Sequence, residues 1–99
     1  MGKVIFTISY DIIPEKREEF LTLSKEMKAT VGQKIRGTYS IFEQKGKKNS
    51  FSEVFTFDSA ADYDQLEDQD EQTAAYMNRL QGLLVNGKMK YSTIVEVAS

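Results

Sequence analysis

The apolar residues of this chain change spacing from every second position to every third or fourth and back again, twice over, and few folds can satisfy that order. Val4, Phe6, Ile8 and Tyr10 alternate with Ile5, Thr7 and Ser9, the two-residue period of a strand. Phe20, Leu23, Met27 and Val31 then recur at helical steps. Pro14 suits the first turn of that helix, where its missing N–H would have no partner. Glu15, Glu18 and Glu19 put negative charge where the helix dipole favours it, and Gly32 is the expected stop.

Two strands follow, at 38–45 and 50–57, joined by the polar hairpin Gly46-Lys47-Lys48-Asn49. Asp58-Ser59, with Asp62 three residues after the serine, reads as the start of a second helix. Tyr63, Leu66, Ala74, Met77 and Leu80 carry its stripe, which lapses around Asp70, and Gly82 ends it. An Asn86-Gly87 turn leads to a last strand with Met89, Tyr91, Thr93, Val95 and Val97 on one side.

The order β-α-β-β-α-β is that of a ferredoxin-like α+β fold, with a four-stranded antiparallel sheet and two helices on one face. A single domain over residues 1–99 is expected, since no linker or repeat marks a second. The apolar face of every strand should meet the helices. The other face carries one large apolar residue per strand, Ile5, Phe42, Val54 and Ile94, among Thr7, Ser9, Ser40, Ser52, Thr56 and Ser92. Such a row suits a homodimer packed sheet to sheet; a solvated face with scattered hydrophobes is the alternative.

What is missing narrows chemistry more than what is present. The chain has no cysteine and no histidine, which removes thiolate metal sites and the commonest ligand for zinc and haem iron. No metal and no cofactor is expected. Thiolate nucleophiles and serine triads of the usual kind are excluded on the same ground. The net charge of −2 speaks against nucleic acid as a partner. Residues 1–57 hold ten Lys/Arg against seven Asp/Glu, and residues 58–99 hold three against eight. The acidic run from Asp58 to Glu71 lacks the glycine-bearing loop of a calcium site and reads as a solvated helix face. No stretch is long and apolar enough for a membrane span, and the opening residues do not form a signal peptide. A cytoplasmic protein without membrane contact is expected.

Three segments carry a resemblance to a known family. Pro14-Glu15-Lys16-Arg17-Glu18-Glu19-Phe20 is similar to the first-helix opening of the antibiotic biosynthesis monooxygenase-like family of dimeric α+β barrels. Gly37-Thr38-Tyr39-Ser40-Ile41-Phe42 is similar to its second strand, and Ser52-Glu53-Val54-Phe55 with Asp58 to its third. The resemblance implies a homodimer with a small-molecule pocket between sheet and helices. It also implies oxidation of phenolic compounds without metal or flavin. Phe55 stands where the family often has tryptophan, which keeps an aromatic wall but loses an N–H donor. Gln65, before Leu66, stands where many members have histidine. Haem-degrading relatives rely on a histidine ligand that this chain lacks.

Glu53 is the candidate catalytic residue. Alternation places its carboxylate among Phe51, Phe55 and Phe57, where desolvation would raise its pKa toward that of a useful general base. It could instead reach solvent at the strand end, or pair with Arg79. Tyr10, Tyr39 and Tyr76, with Phe55 as a wall, are candidate ligand-contacting residues, although tyrosines on apolar faces also serve as core. Arg79 is the only basic residue between Asp58 and Gly87. It could clamp an anionic substrate or answer the acids of its own helix. The functions in view are a cofactor-independent oxygenase acting on an aromatic or enolisable compound, and a non-catalytic ligand-binding or accessory protein on the same scaffold.

Overall fold

The computed structural model of the chain describes residues 2–67 and 71–97. Strands β1 (Val4–Asp11), β2 (Gly37–Glu43), β3 (Ser50–Phe57) and β4 (Lys90–Val95) form one antiparallel sheet in the order β2-β3-β1-β4. Helices α1 (Arg17–Lys34), α2 (Ala60–Asp64) and α3 (Glu71–Gln81) complete the expected α+β ferredoxin-like architecture. Phe20, Leu23, Met27 and Val31 of α1 and Leu80 of α3 bury themselves against Val4, Ile8 and Tyr10 of β1 and Phe51, Phe55 and Phe57 of β3.

Local chemistry explains most of the boundaries. Pro14–Lys16 form a 3-10 turn that runs directly into α1. The Ser59 side chain caps α2 by accepting the Asp62 N–H at 3.2 Å. Asn86 and Gly87 take positive φ (57° and 64°), as their turn requires.

Several boundaries differ from expectation. Gly32 does not end α1, which continues to Lys34 because Val31 is anchored in the core. The chain leaves the helix when Ile35 adopts an extended conformation (φ −99°, ψ 155°). Gly37 is the glycine with the tighter packing: a Cβ there would collide with the Thr56 carbonyl oxygen. β2 stops at Glu43, two residues early. The Glu43 carboxylate is gripped by Arg17 at 2.6 and 2.9 Å and by the Asn49 N–H at 2.8 Å, which turns the hairpin. The second helix is divided, with a 3-10 turn at Gln65–Glu67 after α2. The expected lapse at Asp70 lies outside the described residues.

The largest departure concerns β4. Its inward residues are only thinly covered by the helices: the Tyr63 hydroxyl of α2 lies 3.3 Å from Thr93 Oγ1, but Tyr91 is 61% and Val95 60% exposed. β4 pairs only with β1, at the sheet edge beyond the reach of α1, which lies over the opposite edge at β2. On the outer face the apolar residues form a diagonal rather than a row. Ile94 faces Ile5, Val54 lies one rung along, opposite Thr7, and Phe42 one further, opposite Ser52.

Candidate functional site

Strand order creates the site. β3 lies between β1 and β2, so Glu53 has a neighbour on each side, Ile8 and Ile41. Tyr10 is two residues beyond Ile8 and Tyr39 two before Ile41, so each tyrosine stands on a diagonal from Glu53. Diagonal partners on one face are about 7–8 Å apart, within reach of long side chains. Both reach. Tyr10 Oη donates to Glu53 Oε2 at 2.7 Å and Tyr39 Oη to Glu53 Oε1 at 2.8 Å.

Glu53 is 2% exposed, buried as its alternation required. Burial drives its pKa up, and the two tyrosine hydroxyls oppose that rise by stabilising the carboxylate. The tyrosines are pushed in the same upward direction, first by their own burial and then by the Glu53 charge, so both hold their protons and keep donating. Each carboxylate oxygen retains a second acceptor site for an incoming proton.

Beside this triad lies an apolar cavity of about 130 Å³. Ile8, Glu53 and Phe55 of the sheet, Met27 and Val31 of α1, and Thr73, Tyr76 and Met77 of α3 line it. Phe6, Leu66 and Tyr91 complete the lining, with the Phe6 and Tyr91 rings stacked 6.2 Å apart. An apolar cavity of about 150 Å³ holds benzene, so this one matches a single ring. It is smaller than the few hundred cubic ångströms usual for ligand pockets.

The sequence candidates separate into three groups. Glu53, Tyr10 and Tyr39 come together as one hydrogen-bonded unit. Glu53, Phe55 and Tyr76 lie on the cavity wall. The Tyr76 hydroxyl shares a 3.1 Å hydrogen bond with Thr30 Oγ1, tying α3 to α1. Arg79 stands apart. Its guanidinium is half-exposed, donates to Glu26 of α1 at 3.1 Å, and is neither a partner of Glu53 nor part of the cavity lining. The other lining residues were not among the candidates: Phe6, Ile8, Met27, Val31, Leu66, Met77 and Tyr91 read as parts of apolar stripes, and Thr73 carried no signal. The tyrosine contacts carried a signal, the diagonal spacing, that is readable only once strand order is known.

No family model matches the chain, and no curated protein matches it. Solved structures do. A protein from Deinococcus radiodurans, provisionally named an antibiotic biosynthesis monooxygenase, superposes with a TM-score of 0.79 at 13% identity, covering 97% of this chain and 93% of its own. A conserved protein of unknown function from Bacteroides thetaiotaomicron, named as a candidate oxidoreductase, gives 0.76 at 21% identity over 96% and 98%. A NIPSNAP family protein from Agrobacterium tumefaciens gives 0.74 at 17% identity over 96% and 86%. At these identities the likeness is one of fold, and the chain has the α+β fold shared by the antibiotic biosynthesis monooxygenase-like and NIPSNAP-like proteins.

Proposed function

We propose that the chain is a cofactor-independent monooxygenase-like protein acting on a small aromatic or enolisable compound held between sheet and helices. The observation that carries this reading is Glu53: a buried carboxylate, raised in pKa and clamped by two tyrosine hydroxyls, on the wall of an apolar cavity of single-ring size. In this reading Glu53 takes the proton of a phenol or enol. The resulting anion supplies the electrons that reduce dioxygen, so a phenol and dioxygen yield a quinone and water. Tyr10 and Tyr39 hold the base in position, Phe55 walls the ring, and Tyr76 lines the cavity from α3. Arg79 has no part in it. The protein's contribution is to remove a proton and keep water out.

A second reading rests on the same triad. Among the described residues no buried side-chain polar atom lacks a partner, and the Tyr–Glu–Tyr unit ties three strands together without any ligand. A non-catalytic binding or accessory protein would need nothing more.

We further propose that two copies pack through the outer sheet face. The diagonal of Ile94, Ile5, Val54 and Phe42 supports this, with Phe42 56% and Ile94 58% exposed.

Oxygen consumption with a panel of single-ring hydroquinones, wild type against Glu53→Gln, tests the catalytic reading. Turnover lost in the variant with ring binding retained supports Glu53 as base. Equal turnover in both proteins removes Glu53 from that role. Saturable binding without turnover in either selects the accessory reading.

A further inference from the structure

The Glu53 cavity is closed unequally, and the asymmetry decides which way a bound ring must lie. Ile8 faces Glu53 in the β1–β3 ladder and Tyr91 in the β1–β4 ladder, so the three side chains share one rung on the helix-facing side of the sheet. Neighbouring strands lie about 4.8 Å apart, which puts Tyr91 roughly 10 Å from Glu53 with Ile8 between them. Of the eleven described residues that line the cavity, ten are buried or half-buried, and Tyr91 alone is exposed, at 61%. The cavity therefore opens toward β4, the strand that the helices cover thinly. At that opening the Tyr91 ring stacks on Phe6 with 14° between their planes, and its hydroxyl donates to Met89 Sδ at 3.2 Å.

A ring admitted here has one polar anchor. Among the described lining residues Glu53 alone is charged, and no lysine or arginine joins it. Its carboxylate holds both tyrosine hydroxyls and still accepts a further donor. A phenol that donates to Glu53 lies over Ile8 and points the carbon para to its hydroxyl at Tyr91. Substituents ortho or meta to that hydroxyl run into Met27, Val31 and Phe55, all of them buried, and crowding a packed wall is destabilising. A para substituent instead leaves past Tyr91 into water. Charge follows the same geometry. An anionic group against the walls would be desolvated beside a carboxylate with no cation to answer it.

We propose that the cavity takes single-ring phenols substituted only at the para position, and that Tyr91 is the residue that sets this preference. The preference rests on Glu53 receiving the phenol hydroxyl, as in the catalytic reading, and adds the direction in which the ring lies.

The test is binding rather than turnover: an NMR titration of the whole chain with 2-, 3- and 4-ethylphenol and with 2-hydroxybenzoate. The 4-isomer should bind about tenfold more tightly than either of the others. Its methyl protons should show nuclear Overhauser contacts to the Tyr91 ring, and 2-hydroxybenzoate should not saturate. Tyr91→Ala should lower the para preference by about fivefold. Equal affinities for the three isomers, a methyl group in contact with Met27 or Val31 instead of Tyr91, a ranking unchanged in Tyr91→Ala, or no saturable binding by any phenol overturns the proposal. Oxygen consumption in wild type and Glu53→Gln judges the catalytic reading separately. An isomer ranking that holds without turnover keeps the ring's direction and drops the chemistry, whereas turnover with equal affinities does the reverse.

Discussion

Replacing Tyr39 with phenylalanine isolates the physics of the buried carboxylate, because it deletes one hydroxyl and leaves the ring that packs 4.7 Å from Phe55. The deleted group is a donor to Glu53 Oε1 at 2.8 Å in a fully buried setting. A hydrogen bond to a charged group contributes about 1.5–3 kcal/mol, so a loss of about 2 kcal/mol is expected when Glu53 is ionised. For a chain of this length that lowers Tm by roughly 8–16 °C.

The cost should depend on pH. Burial raises the Glu53 pKa above its ordinary value of 4.5, so the folded state holds the proton more tightly than the unfolded state. Glu53 therefore favours folding below the unfolded pKa, and that contribution is lost as pH rises through the folded value. Removing a hydroxyl that had held the pKa down moves the folded value higher still. The gap between wild type and Tyr39→Phe should then widen from low to high pH, by about 1.4 kcal/mol for each unit of further rise. Urea unfolding at pH 4 and pH 8 measures both numbers. At pH 4 the neutral carboxyl loses an ordinary hydrogen bond, about 1 kcal/mol. A cost below about 0.5 kcal/mol and equal at the two pH values would refute the reasoning, since only a carboxylate in contact with water is so indifferent to its donors.

Two further outcomes follow from other contacts. The Arg17 guanidinium and the Asn49 N–H hold Glu43 down to about 2, so Arg17→Ala should return its titration toward the ordinary carboxylate range, as side-chain carbonyl NMR would show. The stabilising effect of that grip is present above the unfolded pKa and fades as pH falls toward 2. If the outer face joins two copies, Ile94→Asp with Phe42→Asp should halve the mass seen by light scattering without altering far-UV circular dichroism; an unchanged mass would place any contact elsewhere.

The architecture was legible because hydrophobic period is a local property. Alternation at Val4–Tyr10 and helical spacing at Phe20–Val31 report which side of each element faces the interior, whatever the other elements do. For the same reason the inward aim of Glu53 could be read from its place between Phe51 and Phe55. Caps and turns are also local, and Ser59, Asn86 and Gly87 announced themselves.

Pairing is not local. That Glu53 is clamped by Tyr10 and Tyr39, rather than by Arg79, depends on β3 lying between β1 and β2 and on a register that puts both tyrosines one diagonal step away. Nothing in either tyrosine's own neighbourhood encodes that. The exposure of Tyr91 and Val95 is likewise a fact of sheet order. Their alternating pattern marks one side of β4 as apolar, but whether a helix covers it depends on how far the helical layer extends across the strands. The sequence by itself determined the elements and the face each one turns inward, through short-range periodicity and backbone preference. Tertiary structure alone decided which side chains meet, because strand order and register bring together residues that the chain keeps far apart.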